Sequence, residues 1–477
     1  MKPINLLLFC CSIFILSAFS GCTTQSKEIP QPVKPNILFI FMDDLGWSSL
    51  SCLGNPYMDT PHIDKLAENG VLFTDAYSTP QCTPTRASLL TGQHTARNKM
   101  WHVVPYYDYP YAKLKEPEYL ENLPRKSYTL GEMLKDNGYT TAILGKWHLS
   151  TYENDGYYTY LRDSAKQYYG FDYVNPVTDP TEYQSYGDKG VEFLTNEAIN
   201  FMKENRDSSF FVYLSHHTIH GPVLAPDSLI QKYLELGYPE EGQNSATYLA
   251  AINHFDNSVG RLISALKELE LDENTMVIFY SDNGGVDKQF EQAPLRHGKG
   301  SPYEGGIRVP LIVSWPGKIV PATVNEPVHV VDFYPTLLDY AGGHAQNLVL
   351  DGVSFRPLLE GRSVGQRELF WYMPLYDPQW GASPAAVMRD GEYKLVWFFG
   401  DYIEKENDFN YIPEGRVELY NLTEDLSETN DLSEELPDKT QKMKDRLYEW
   451  IQEMGEDTCE LNPNYDKERA LYRPPRK

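Results

Sequence analysis

The chain has 477 residues, 41% of them hydrophobic, and a formal net charge of −25. That length can bury a large core, enough for one big domain and a smaller companion. The acidity excludes a general nucleic-acid binder, which needs a basic face, and means that an anionic substrate would have to meet its cations in one pocket.

Residues 1–21 read as an export signal: Lys2, an apolar run from Leu6 to Phe19, then Ser20-Gly21-Cys22. No later segment is long and apolar enough to span a bilayer. Gly21-Cys22 resembles a bacterial lipoprotein processing site, with Cys22 lipidated and the protein anchored in the periplasm or at the cell surface; plain secretion is the alternative. Residues 22–34 read as a tether. Among the six cysteines, Cys10 and Cys11 fall in the signal, which leaves Cys52, Cys82 and Cys459 beside Cys22. If Cys82 is consumed by modification, Cys52 and Cys459 could pair, although their long separation favours two free thiols.

Asn36-Ile37-Leu38-Phe39-Ile40-Phe41-Met42 is a continuous apolar run, as expected of a strand buried on both faces. It ends in Asp43-Asp44-Leu45-Gly46. Adjacent strand residues point to opposite faces, so both carboxylates reach one ion only if the strand has ended, and Gly46 permits the turn. Hard oxygen donors suit calcium or magnesium; a plain acidic turn is the alternative. Thr60 caps a helix starting at Pro61, with His62 as a structural residue and Asn69-Gly70 closing it. A strand at 71–73 feeds Gln81-Cys82-Thr83-Pro84-Thr85-Arg86-Ala87-Ser88-Leu89-Leu90-Thr91-Gly92. There Thr83 can cap a helix whose first residue is Pro84, and Gly92 can end it. Cys82 then sits at a helix N-terminus, where free N–H groups favour negative charge, with Arg86 one turn in. It is a nucleophile or a buried structural thiol.

Residues 101–127 form a Tyr- and Pro-rich loop, placed at the rim of a site. A helix over 128–137 precedes a buried strand at 140–144 that ends in Gly145-Lys146-Trp147-His148. After an irregular stretch at 150–180 come a helix over 191–205 and a strand at 210–215, which ends in His216-His217-Thr218-Ile219-His220. Residues 246–271 carry apolar residues at helical spacing, with His254 and Asp256 in local contacts. A strand at 275–280 ends in Ser281-Asp282-Asn283. Arg296-His297-Gly298-Lys299-Gly300 then precede a strand at 309–314. Strands at 369–372, 385–388 and 393–399 and a helix over 436–454 mark a second unit.

This alternation predicts an α/β fold, doubly wound on a mostly parallel sheet over residues 35–362, with an α+β subdomain over 363–477. Four buried strands end in Asp-Asp, Lys-Trp-His, His-x-x-His and Asp-Asn. Open parallel sheets bind ligands at the carboxyl ends of their strands, so these residues converge on one edge as a catalytic site.

Cys82-Thr83-Pro84-Thr85-Arg86 followed by Leu89-Leu90-Thr91-Gly92 resembles the activation sequence of type I, formylglycine-dependent sulfatases of the alkaline-phosphatase-like superfamily. Thr85 stands where Ser is commonest. The resemblance runs from about Pro35 to the C-terminal region. It implies that a sulfatase-maturing enzyme oxidises Cys82 to formylglycine (3-oxoalanine), whose hydrated aldehyde is the nucleophile. It implies calcium held by Asp43, Asp44, Asp282, Asn283 and the modified Cys82. Arg86, Lys146 and Lys299 would stabilise the transition state, His220 would protonate the leaving alcohol, and His148 would hold or deprotonate the gem-diol. At least one of His216, His217 and His297 is expected to line the substrate pocket. The implied reaction is sulfate-ester hydrolysis, read as exo-acting removal of O-sulfate from a sulfated carbohydrate, with the membrane touched only through the lipid and no contact with nucleic acid. One rival is a phosphatase or phosphonate hydrolase of the same superfamily, against which Cys-x-Pro-x-Arg argues. The other is an inactive glycan-binding lipoprotein, which would have lost metal or cation positions; none is lost.

Overall fold

The computed structural model describes residues 34–106, 108–150, 166–175, 187–343, 348–406 and 408–473. The predicted signal, most of the tether and Cys22 lie outside them. Strand β1 (Asn36–Met42) is buried along its whole length. Ile37, Phe39 and Phe41 enter one core, and Leu38, Ile40 and Met42 enter another. Such a strand needs cover on both faces, which is why its sequence lacks polar alternation.

The main sheet is built from β1, β2 (Val71–Tyr77), β3 (Thr140–Gly145), β4 (Tyr173–Val174), β5 (Phe210–Ser215), β6 (Thr275–Ser281), β7 (Arg308–Ser314), β8 (Ala322–Val324) and β9 (Val328–His329). Its order is β9-β2-β7-β6-β1-β5-β3-β4, with β8 also on β2. Strands β6, β1, β5 and β3 are mutually parallel, whereas β7 runs antiparallel to both its neighbours. Helices α1 (Pro61–Glu68), α4 (Val191–Glu204) and α5 (Ala246–Glu268) cover one face. The other is covered by α2 (Cys82–Thr91), α3 (Leu130–Asp136) and α6 (Phe333–Ala341). The fold is therefore α/β on a mostly parallel sheet, as expected.

Local chemistry explains where the boundaries moved. Helix α3 starts at Leu130 because Thr129 and Glu132 form a reciprocal capping box. Helix α1 is not capped by the Thr60 hydroxyl: Asp256 on α5 accepts from the N–H groups of His62 and Ile63. Asp256 thus makes a contact across the fold, not a local one. His254 does too, its Nε2 lying 3.1 Å from Asp188.

A separate antiparallel sheet follows, β10 (Glu368–Met373), β11 (Ala385–Asp390), β12 (Tyr393–Phe398) and β13 (Val417–Asn421). Helix α7 (Pro437–Glu453) packs Met443, Leu447 and Trp450 onto one face. The opposite face meets Tyr77, Tyr303 and Ile307 of the main part. Under that contact, Lys394 on β12 reaches Glu304 at 2.9 Å and Glu428 at 2.8 Å, all three side chains fully buried. Glu428 also accepts from the backbone N–H of Glu304 at 2.7 Å. Cys52 and Cys459 are both free.

Candidate active site

Because β3, β5, β1 and β6 are adjacent and parallel, their carboxyl ends share one edge. Asp43 and Asp44 follow β1 directly. Asp44 has φ of 65°, in the left-handed region that Asp and Asn tolerate better than most residues. That residue, rather than Gly46, turns the chain and swings both carboxylates to one side. Ligand atoms of Asp43, Asp44, Cys82 and Asp282 lie within 4.8 Å of one another, all buried. Asn283 donates from Nδ2 to Asp44 at 2.8 Å, and its buried Oδ1 has no partner.

Helix α2 begins at Cys82 itself, two residues earlier than the sequence suggests, with Gln81 as N-cap and Gly92 ending it at φ 66°. Thr83 does not cap; its hydroxyl donates to the His148 carbonyl at 2.8 Å and so ties the end of β3 to the start of α2. Arg86 is fully buried. It bonds Asp282 at 2.7 Å and the Lys146 carbonyl at 3.1 Å, and lies over the Phe41 ring. Lys146 holds Asp43 through both oxygens, at 2.9 and 2.7 Å. Lys299 reaches Asp44 at 2.6 Å and the Cys82 sulfur at 3.4 Å.

Three carboxylates therefore face three fixed cations. Burial opposes ionisation of Asp43, yet Lys146 and the other cations hold its carboxyl well below the usual range. Burial and the Asp43 charge push Asp282 up to about 6 despite Arg86. Crowded acids of this kind call for more positive charge, and an orphaned amide oxygen at Asn283 supplies one further hard donor. The residues fit a divalent calcium ion. Added here, it would leave the cluster net positive, the sign an anionic ester needs. Burial and then Asp282 push the Cys82 thiol up to about 12. The helix end and Arg86 do not create a thiolate.

The two histidines are fixed by backbone carbonyls, which can only accept. His148 places Nε2 at 2.7 Å from the Val104 carbonyl, so Nε2 carries hydrogen and Nδ1 holds the lone pair. His220 places Nδ1 at 2.9 Å from the Gly221 carbonyl, leaving Nε2 as its other face. Burial and then Lys146 hold His148 well below the ordinary range; burial and Lys299 lower His220 to about 4. Lys189, which sequence reasoning missed, donates to the His220 carbonyl at 2.8 Å. It follows a segment with no periodicity, and no motif marks it.

A cavity of about 360 Å³ lies over Cys82, His148, His220 and Lys299. The 101–127 loop borders it through residues 102–106 and Tyr109, as expected of a rim. His216, His217 and His297 are not among its lining residues; His102 is. His216 instead packs edge-on against Phe255, fully buried with neither ring nitrogen partnered. Burial lowers it to about 3. Because the unfolded chain binds this proton near pH 6.5 and the folded one does not, His216 costs stability as pH falls from 6.5 toward 3. Urea denaturation of His216→Leu should show the variant gaining on the wild type by roughly 2 kcal/mol at pH 5 relative to pH 7.5. A pH-independent difference would refute the assignment.

Residues 35–343 match the family model described as Sulfatase, and residues 297–456 match that of the N-sulphoglucosamine sulphohydrolase C-terminal region. The chain belongs to the sulfatase family. This sulfatase is 31% identical to a protein named Sulfatase from Formosa agariphila, over 92% of each chain. It is also 31% identical to the N-acetylgalactosamine-6-sulfatase of Canis lupus familiaris, over 75% of this chain and 72% of that one. The solved structure of Ps i-CgsB in complex with k-i-k-neocarrahexaose matches with a TM-score of 0.71 at 25% identity, covering 92% of this chain and 96% of that one. The fold is that of the alkaline-phosphatase-like superfamily, and the activity is sulfuric ester hydrolysis. Its cation and acid positions are all present, which sets aside the inactive binding protein.

Proposed function

We propose that this sulfatase removes O-sulfate from a sulfated glycan, acting on a terminal residue, with Cys82 converted to formylglycine and calcium bound beside it. The observation that carries the reading is the convergence of Asp43, Asp44, Asp282 and Asn283 with Arg86, Lys146 and Lys299 around position 82. Relatives named for N-acetylgalactosamine 6-sulfate, and a similar structure holding a neocarrahexaose, support a carbohydrate substrate.

Asp43, Asp44, Asp282, Asn283 and residue 82 would hold calcium, which when bound polarises the sulfate and offsets its charge. The hydrated aldehyde supplies an oxygen nucleophile that a buried thiol of high pKa does not. Lys146 and Lys299 are already placed by Asp43 and Asp44, so their charge costs no reorganisation when negative charge develops on the sulfate oxygens. Arg86 fixes Asp282 and the end of β3 from below. His148, with hydrogen held on Nε2, offers Nδ1 to take a proton from the nucleophile. His220, its Nδ1–H held by the Gly221 carbonyl, gives a proton from Nε2 to the leaving oxygen when that nitrogen enters the reaction protonated, a form the negative charge of the bound sulfate favours, and Lys189 holds its loop in place. We extend the reading to export, with a lipid on Cys22 and maturation of Cys82 by a partner enzyme.

Turnover of a panel of defined sulfated mono- and oligosaccharides tests the substrate class; cleavage of phosphonate esters with no sulfatase activity would overturn it. His220→Ala should lower kcat on alkyl (sugar) sulfates by about 10² or more and on activated aryl sulfates much less, because an aryl leaving oxygen needs little protonation. Equal losses on both would mean that His220 binds and does not donate.

A further inference from the structure

The wall of the cavity away from the sulfate cluster is made by parts of the chain that the reaction does not use. A turn between β10 and β11 is closed by paired backbone bonds between Asp377 and Ala382, at 3.0 and 3.1 Å, which fix its main chain. It puts Asp377, Gln379 and Trp380 on the cavity. Trp380 packs directly on Gly300, where a Cβ would come within 2.2 Å of it, and its ring centre lies 5.5 Å from Lys299 Nζ. One face of an indole thus stands beside the cation that meets the sulfate. Asp377 accepts at Oδ2 from the Gln81 side-chain amide at 2.8 Å, while Oδ1 receives no hydrogen bond from the described residues. His102, only 2% exposed, lies behind this wall, with Nε2 3.2 Å from the Glu116 carboxylate.

One open acceptor, a carboxylate oxygen, therefore borders a site built for an anion. It suits a hydroxyl donor, which a sulfate ester at the same place lacks. Arg473 is on the same wall, and its charge and that of Asp377 offset each other. Beyond Tyr106 and Tyr109, which both cavities share, a larger groove carries Asp108, Glu118 and Glu121.

We propose that this wall is a subsite for a pyranose with a free hydroxyl next to the scissile ester, and that Asp377 and Trp380 select it over a ring carrying a second sulfate there. The proposal rests on the sugar-sulfate reading above. An apolar sugar face lies on Trp380, and a neighbouring hydroxyl donates to Asp377 Oδ1. A hydroxyl-directed site of this kind discriminates far better than an apolar one, because its acceptor is stranded by the wrong ligand.

The test compares kcat/KM for a monosulfated pyranose, the same ring with an adjacent second sulfate, and an aryl sulfate. The wild type should prefer the monosulfated ring over the disulfated one by at least about tenfold. In Asp377→Asn that preference should collapse to within about threefold, and in Trp380→Ala the sugar-to-aryl ratio should fall about tenfold or more. A loss that reflects only disturbed Gln81 or Cys82 would lower all three substrates together and leave the ratios unmoved, which would overturn the subsite. Hydrolysis of aryl sulfates but of no sugar sulfate would instead overturn the carbohydrate reading, and the subsite with it.

Discussion

Cys82→Ala should fold normally and lose turnover by at least about 10³. The side chain is small and buried, and its removal strands no charge, because Lys299 keeps Asp44 and Lys146 keeps Asp43. A structural thiol would show the opposite pattern, with lost stability and retained activity. The same reasoning bears on what residue 82 is in the active protein. Its thiol is pushed up to about 12 by burial and by Asp282, so almost none is ionised at neutral pH, and a thiolate mechanism would run on a vanishing fraction of molecules. Active protein made with a maturation enzyme should therefore yield a Cys82 peptide lighter than the unmodified one and reactive toward hydrazides. Cys82→Ala should give no such peptide. Fully active preparations bearing only the thiol would refute the proposed chemistry.

The second large effect is expected on metal removal. Exhaustive chelation should abolish turnover, calcium should restore it, and Asp282→Asn should show reduced calcium content together with activity lowered by about 10² or more. Asn is the more informative replacement, because its amide oxygen can still accept from the fully buried Arg86 guanidinium. Asp282→Ala removes the acceptor as well as the charge, at a cost of about 3–5 kcal/mol, and so would confuse stability with catalysis further. Full activity in metal-free protein would sink the assignment.

The apolar runs of β1, β5 and β6 and the charged or imidazole residues that follow them placed most of the site before any geometry was known. A strand buried on both faces has a strong signature, and its carboxyl end is one residue long. What stayed hidden depends on distance in the chain. Asp256 reads as an ordinary helix residue until α1 is seen to end on it. Gly46 suggested the turn that Asp44 makes, because a left-handed aspartate leaves no mark in composition. Asp377 and Trp380 lie almost 300 residues beyond Cys82 and carry no motif, so only folding brings them to the cavity. The short strands β8 and β9 have too few residues for a period to show.

Lys394, Glu304 and Glu428 have one more consequence. Lys299 lies five positions before Glu304, so the loop that carries it is pinned by a lysine from the small sheet and a glutamate beyond it. A chimera joined at residue 363 would pair Glu304 of one parent with Lys394 and Glu428 of another, across a contact in which all three side chains are fully buried. A junction at 297 would carry all three across together with Lys299. Grafting specificity from a related protein should therefore succeed at the earlier seam and fail at the later one, because the heritable block begins at the cation, ahead of the strands it resembles.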